Sequence, residues 1–410
     1  MSFEGVKINK LNGGLGGSND STDGVVALVV ALAGADLPEG VAHHKPYQLL
    51  QPRDAESLGF NAAFDANKKE LVYDTVTEFF RLAPEAVLHL ITVPVAKPSV
   101  IMASAGLQAA LREAKEVKGL GIIGTTETVA LLAPEVDAIQ VVVDAFRADH
   151  RLIDFVVLAG MGGAAPTAVA DYPDLRTRKA PNVSVSIAQD PAVAAIDAAY
   201  AKYADMGGVL GMLAVRGVNE NLGSVNINRK PSSRRGEADY PLTSPGLGRW
   251  LSAALSDGTL VSSLSPADLK ALTAKGYIYA GSYEGYDGIF FNSSPTAVEK
   301  ASDYAYIERN RVWNKAARLI RSTLLPEVKG VVKKDPTTGY IKSTTIARWS
   351  GLLNAALERM AAAEEISGFG VYINPKQVLS ESSPLVVKAS VVSDDIVHEF
   401  EVDLGLTKQV

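Results

Sequence analysis

The chain has 410 residues, no cysteine, a net charge of −6, and 47% hydrophobic and 21% charged residues. This composition is ordinary for a globular protein of two or three domains. The absence of cysteine excludes disulfides, thiolate zinc sites and cysteine nucleophiles. The acidic balance, without a long Lys/Arg run, gives no reason to expect nucleic-acid binding. The longest apolar run, 25–35, is too short to span a bilayer, so no membrane insertion is expected.

The first thirty residues predict a strand, a glycine-rich link and a second strand. Residues 3–11 alternate loosely between apolar and polar side chains. The apolar members of that strand are Phe3, Val6, Ile8 and Leu11. The link that follows is expected to act as a soft hinge, because glycine restricts the backbone least. Its glycines are Gly13, Gly14, Gly16 and Gly17. Residues 25–30 then form a short apolar strand.

From Val87 onward, predicted strands alternate with predicted helices. The predicted strands are 87–95, 121–124, 155–159 and 183–188. The predicted helices are 99–115, 134–149, 192–203 and 209–216, and an earlier helix is predicted at 71–82. This order is typical of an open sheet with helices on its faces, and it predicts an α/β fold, α+β overall. Further along, we expect helices at 247–255 and 265–275, and a hairpin formed by 277–280 and 288–292.

The last hundred residues predict two long helices, 304–325 and 344–366, followed by two strands, 385–392 and 396–404. In the last strand, one face carries the apolar side chains and a histidine, and the other carries acids. The residues of the first face are Ile396, His398, Phe400, Val402 and Leu404. A chain end frays unless it is tied down, so this strand is expected to pair with another strand.

The residues do not assemble into a catalytic set, and neither a metal nor a cofactor is expected. The segment from Lys10 to Gly16 resembles the nucleotide loop of the uridylyltransferases that make UDP-sugars, since such glycines let backbone N–H groups approach a phosphate. The Gly-Pro-Lys-Ser that these enzymes carry just downstream is absent, and Ser21 to Gly24 stands near that place. A flexible hinge is therefore favoured, with a nucleotide-sugar enzyme as the alternative.

Several segments of the C-terminal half resemble contractile tail sheath proteins of phages and phage-derived injection machines. The resemblance lies in the strand pair at 275–291, in Asp303-Tyr304 leading into the helix 308–318, and in Ile373-Asn374-Pro375 with the final alternating strand. It covers about residues 180–410 and, loosely, the first 20. It implies a structural subunit without catalytic activity.

The resemblance also implies a domain plan. Residues 1–30 and 303–410 would form an inner domain of terminal strands and two long helices, and 31–302 an inserted αβ outer domain with an open sheet. The terminal arms would complete sheets in neighbouring subunits, as in β-augmentation. The implied partners are further copies in hexameric rings stacked as a helical sheath, an inner tube protein, and baseplate and terminal cap proteins.

Arg348 and Arg359 of the second long helix, with Lys342 just before it, are expected to face acidic groups of the inner tube. A solvated helix face is an equal alternative. Assembly is expected in the bacterial cytoplasm, and the product would be a virion tail or an extracellular tail-like particle. A scaffold that does not contract stays open, and so does the choice between a phage, a bacteriocin and an injection system.

Overall fold

The computed structural model describes residues 22–161, 168–377, 384–402 and 404. The chain divides into two compact units, 1–314 and 315–410. The residues predicted for the N-terminal arm and the hinge lie outside the described residues; they are Phe3, Val6, Ile8, Leu11, Gly13, Gly14, Gly16 and Gly17. The predicted division into 1–30, 31–302 and 303–410 stays a prediction. None of the described helices combines the length and the hydrophobicity needed to cross a membrane.

A seven-stranded sheet forms the centre of the first unit, in the order β2-β3-β1-β4-β5-β6-β9. Its strands are β1 Val26–Ala31, β2 Pro46–Leu49, β3 Leu88–Val93, β4 Gly119–Ile123, β5 Phe155–Ala159, β6 Val183–Ser186 and β9 Tyr277–Ile278. All neighbours run parallel except β2, which is antiparallel to β3. Every residue of β1 is buried, as expected for a central strand covered on both faces. The predicted α/β character is confirmed.

Helices of the first unit pack around this sheet. They are α1 Pro52–Ser57, α2 Ala62–Lys68, α3 Val72–Leu82, α4 Pro98–Ala103, α5 Ala105–Glu113, α6 Leu132–Ala148, α7 Pro191–Ala194, α8 Gly207–Val215 and α9 Pro266–Lys275. Helix α8 packs directly on α3. Glycines allow this approach, since a Cβ on Gly207 would lie 2.5 Å from the Thr75 carbonyl oxygen, and one on Gly211 would lie 2.9 Å from that of Phe79.

Three predicted helices differ from the observed elements. The helix predicted at 99–115 is broken at Ser104, whose hydroxyl accepts the Leu107 N–H and so starts α5. The predicted 192–203 helix is only α7 and a short 3₁₀ turn at Ala198–Tyr200. The helix predicted at 247–255 is wrong: Trp250 has a left-handed φ of +52°, and β8, Ala254–Leu255, pairs with β7, Ala188–Gln189.

The predicted hairpin after α9 is present, but different residues form its first strand. Tyr277 and Ile278 join the large sheet beside β6, and the hairpin itself consists of β10, Ala280–Tyr283, and β11, Tyr286–Phe291. The start of α9 agrees with its sequence signal. Ser265 and Asp268 form a capping box there, with a proline at the first helical position.

The second unit contains the end of α10, Ile307–Leu324, all of α11, Ser343–Ala362, and an antiparallel strand pair. The pair is β12, Gly368–Ile373, and β13, Val387–Val392. A small core of Ile341, Trp349, Leu353 and Ile373 lies inside this unit. The predicted strand at 385–392 is therefore confirmed as β13. The predicted strand at 396–404 is not, because residues 393–402 and 404 form no strand in the single chain.

Candidate assembly surface

The strand pair of the second unit has two open edges. β12 and β13 pair over six residues each, from Gly368 opposite Val392 to Ile373 opposite Val387. In the described residues neither strand has a second partner strand. Such edges present unpaired N–H and C=O groups, which form a template for strands from another chain. The exposed side chains of Tyr372 and Val392 add apolar surface at this pair.

The segment after β13 exposes the residues predicted for the C-terminal arm. Ser367 holds its start, because the Ser367 hydroxyl donates to Asp394 at 2.6 Å. Beyond that point the exposed fractions are 82% for Phe400, 78% for Val402 and 93% for Leu404. His398 is also exposed, and Ile396 is half-buried. A contiguous row of exposed apolar side chains is typical of an interaction site, whereas isolated ones are common on any surface.

The three basic residues predicted to face a tube are all exposed, but they differ in their surroundings. Arg348 Nη1 lies 2.6 Å from Glu327 Oε1, and Nη2 contacts the other carboxylate oxygen. The hydrogen bonds from Arg348 and Trp349 lower the pKa of Glu327. Arg348 is therefore engaged inside its own unit. Lys342 lies directly before α11, and Arg359 lies in its last turn.

A loop that carries several lysines joins α10 to α11. Its turn forms where the Asp335 carboxylate accepts the Thr337 and Thr338 N–H groups, each at 2.9 Å. A bridge between Lys334 and Ile341 closes the loop. Around this turn the chain exposes three lysines and a valine, Lys329, Lys333, Lys334 and Val331. In the sequence this basic loop is visible as a cluster of lysines beside the turn.

The first half of α10 buries polar side chains, which sequence reasoning missed. Its buried polar residues are Glu308, Asn310, Arg311 and Asn314. The apolar residues at helical spacing on α10 are covered less evenly: Val312 and Ala316 are buried, whereas Leu319 and Ile320 are half-buried and Trp313 is exposed. Polar residues on a helix normally indicate a solvated face, so the pattern gave no warning of this burial.

These polar residues bind backbone groups of the first unit. The Asn314 amide donates to Asp154 Oδ1 at 2.8 Å and to the Ile153 carbonyl at 3.2 Å. The Arg311 guanidinium donates to the Gly217 carbonyl at 3.1 Å. Buried polar groups require such partners. The first turns of α10 are thus hydrogen-bonded to two separate segments of the chain, at residues 153–154 and at residue 217.

Glu308 belongs to a second group of buried polar residues. Its carboxylate accepts from the Asn221 amide at 2.9 Å and from the Ser294 hydroxyl. Burial raises the pKa of Glu308, and the two hydrogen bonds act in the opposite direction. The side chains of Glu308, Asn221 and Ser294 are hydrogen-bonded to one another, so we assign this buried cluster a structural role.

The carboxyl ends of β4 and β5 border a small cavity of about 100 Å³, lined in part by Glu70, Tyr200 and Met161. Ordinary small-molecule sites are several times larger. A Cβ on Gly160 would lie 2.8 Å from Ile187, so this glycine permits strand packing. In the described residues no group of three His, Asp or Glu side chains could hold a metal ion. The glycines of the alternative nucleotide loop lie outside those residues.

Comparison with solved structures finds the same fold in two chains of the anti-feeding prophage baseplate. One, from the six-fold symmetrised cryo-EM structure, has 13% identity and a TM-score of 0.61. The other, from the contracted state, has 14% identity and a TM-score of 0.58. In both cases 99% of this chain and 99% of that chain are covered.

A weaker likeness is to the sheath tail protein from Listeria innocua, with 9% identity, a TM-score of 0.48, and coverage of 92% of this chain and 96% of that one. No curated protein matches the chain. The family described as DUF2586 matches in two parts, its N-terminal domain over residues 3–295 and its C-terminal domain over residues 303–410. Because these matches together cover nearly the whole sequence, the chain belongs to the DUF2586 family.

Proposed function

We propose that this chain is a structural subunit of a phage-tail-like contractile particle, and specifically a sheath subunit that polymerises as stacked rings around an inner tube. The fold shared with chains of the anti-feeding prophage baseplate supports a place in such a particle. One observation supports the assignment as a sheath subunit. The second unit combines two open strand edges with an exposed apolar tail, residues 396–404.

The tail is built to become a strand once an edge is available. Every second residue from Ile396 to Leu404 is apolar except His398, and this period of two is that of a strand with one covered face. Within the single chain, residues 393–402 and 404 do not form a strand. Pairing with an open β12 or β13 edge of a neighbouring copy would satisfy its backbone and cover Phe400 and Val402.

This exchange also accounts for a helical assembly. A tail that enters the next subunit makes a heterologous contact, and repetition of a heterologous contact generates rings or helical filaments. We propose that the N-terminal arm, residues 3–11, occupies the second open edge, with the glycines 13–17 as its hinge. Contraction would then be a change between two packings of the same subunits, which stay joined through these arms.

The proposed role is mechanical, without catalysis and without a cofactor. The partners would be further copies of the chain, an inner tube protein, and baseplate and cap proteins of the same particle. The alternative, a nucleotide-sugar uridylyltransferase, makes a different prediction: UTP with Mg²⁺ would raise its melting temperature, because a ligand that binds only the folded state stabilises it. We expect no such shift here.

Substitution of the exposed tail tests the assembly role. Phe400→Asp with Val402→Asp places charges on the face that would be covered, whereas Glu399→Gln with Glu401→Gln alters the opposite face as a matched control. By negative-stain microscopy we expect striated hollow tubes from the wild type and the control and none from the Asp variant. The Asp variant should keep its melting temperature, since both side chains are exposed.

Two outcomes would contradict the proposal. One is ordered tubes from the Asp variant, which would show that the tail face is not used. The other is a wild-type protein that stays monomeric at high concentration, in the presence and absence of the other particle components.

A further inference from the structure

We propose that a groove beside the β10–β11 hairpin binds a basic protein segment through its arginine or lysine side chains. We call it the tyrosine groove and define it by Tyr283, Tyr286 and Asp287 of the hairpin, together with Leu251, Ser252 and Ser262, which also line it. It is an open groove of about 740 Å³. It uses no residue of the assembly surface, so the inference does not depend on the proposed function.

The two tyrosines are held in place before any partner arrives. They are cross-strand neighbours at the tip of the hairpin, where Tyr283 is directly opposite Tyr286. Both rings contact the buried ring of Phe290, each with 6.1 Å between centroids. The Tyr286 hydroxyl donates to Asp239 Oδ2 at 3.0 Å. Even so, 51% of Tyr283 and 44% of Tyr286 remain exposed. Rigid, exposed tyrosines provide contact area at little entropic cost.

The composition of the walls resembles that of protein-recognition surfaces. Glycines and hydroxyl-bearing residues accompany the tyrosines, among them Gly281, Gly285, Ser252 and Ser282. Tyr, Ser and Gly together are enriched in binding loops, because the aromatic rings anchor a partner and the small polar residues adapt to it. Leu251 also lines the groove, and its exposed side chain can cover the aliphatic stem of a long side chain.

The charge of the groove indicates which kind of partner fits. Asp287 lines it, Glu284 lies in the turn between the two tyrosines, and Asp239 contacts the Tyr286 hydroxyl. None of its described lining residues is a lysine, arginine or histidine. A guanidinium or ammonium group is attracted both to the face of a tyrosine ring and to a carboxylate. An acidic partner would bring like charge against these carboxylates, and a neutral one would gain nothing from them.

Peptide binding to the purified full-length protein tests this inference. The probe is a fluorescein-labelled hexapeptide of alternating arginine and glycine, with a glutamate–glycine and a serine–glycine hexapeptide as comparisons. Fluorescence anisotropy should show saturable binding of the arginine peptide alone, weakening as salt is raised. Tyr283→Leu should raise its Kd about two- to fivefold, because leucine keeps apolar bulk but lacks the ring that attracts a cation.

Charge removal gives a second, independent readout. Glu284→Gln with Asp287→Asn should raise the Kd by a similar factor and reduce its salt dependence. Matched controls are Tyr304→Leu, an exposed tyrosine before α10, and Glu39→Gln, an exposed acid before β2. Both controls should leave the Kd unchanged. Equal melting temperatures of all variants would exclude loss of folding as the cause.

The inference would be overturned by any of three results. The arginine peptide could fail to bind at millimolar concentration, or its Kd could be the same in the groove variants and the controls. The serine–glycine peptide or a neutral oligosaccharide such as maltohexaose could bind as tightly as the arginine peptide, which would assign the groove to an uncharged ligand.

Discussion

The guanidinium of Arg348 contacts both carboxylate oxygens of Glu327, with 2.6 Å between Nη1 and Oε1. Trp349, a core residue of the second unit, donates its indole N–H to the same carboxylate at 2.9 Å. Glu327 thus links the turn after α10 to the start of α11. We predicted that Arg348 faces a tube; in the structure it holds this link within the second unit.

A charge exchange tests this link. Arg348→Glu should lower the melting temperature, because it places two carboxylates side by side. Adding Glu327→Arg should restore part of the loss, since the pair is re-formed but the bond to Trp349 is not. Differential scanning fluorimetry at low and high salt provides the measurement, and the difference should shrink with salt. An unchanged melting temperature in the single variant would mean that the pair contributes nothing.

The buried amide of Asn314 gives a second prediction. Asn314→Ala removes the donor to Asp154 and to the Ile153 carbonyl, and leaves buried acceptors with fewer partners. Urea denaturation should show a loss of about 1–3 kcal/mol in the free energy of unfolding. The control Asn67→Ala, at an exposed position of α2, should change it by less than about 0.5 kcal/mol. Equal effects of the two substitutions would contradict the structural role of Asn314.

Glu70 predicts a pH dependence of stability. Burial, and then the carboxylates of Asp65 and Asp36, raise the pKa of Glu70 to about 7. The folded chain therefore keeps a proton that the unfolded chain loses above roughly pH 4.3, so this residue lowers stability as the pH rises from about 4 to 7. Glu70→Gln removes that penalty.

The expected gain from Glu70→Gln at pH 8 is on the order of 1–2 kcal/mol, discounted from the full shift because the side chain is partly exposed. At pH 4 the wild type and the variant should be equally stable. Urea denaturation at both pH values measures the difference, with Glu39→Gln as the exposed control. An equal effect of Glu70→Gln at both pH values would contradict the assignment.

The core of the second unit gives a fourth prediction. Leu353→Ala should reduce the free energy of unfolding by about 2–5 kcal/mol, because Leu353 is fully buried against Trp349 and Ile341. Leu319→Ala on α10 should cost less, since Leu319 is only half-buried. Denaturation of the two variants side by side gives the comparison. A larger effect at Leu319 would mean that assembly or ligand binding buries it in the protein as purified.

Sequence patterns located the elements whose signals are local. The apolar run at 25–30 predicted β1, the Ser265-Pro266 pair predicted the start of α9, and the β-branched run at 385–392 predicted β13. In each case the residues that decide the structure are neighbours in the chain. The Gly-interrupted strand β12 escaped prediction, because Gly368 and Gly370 weaken its pattern.

Distant partners decide the elements that the sequence mispredicted. Trp250 is buried, and its indole donates to Glu78 and its backbone N–H to Asp190, contacts that no local pattern reports. The alternation at 396–404 predicts a strand with one face suited to burial, but a strand forms only by pairing along an edge, and residues 393–402 and 404 are not paired with one in the single chain. The polar face of α10 was missed for the same reason, since its partners lie up to 288 residues away.

The buried hydrogen bonds of α10 restrict where two related chains can recombine. The two family matches meet between residues 295 and 303, just before α10. A crossover at that junction would bring in a foreign helix, whose residues at positions 308, 311 and 314 would have to match Asn221, Gly217 and Asp154 of the recipient. A mismatch would leave buried polar groups without partners. We therefore expect hybrids to fold when the exchanged piece starts after residue 314, and to fail when it starts at the family boundary with an unmatched α10.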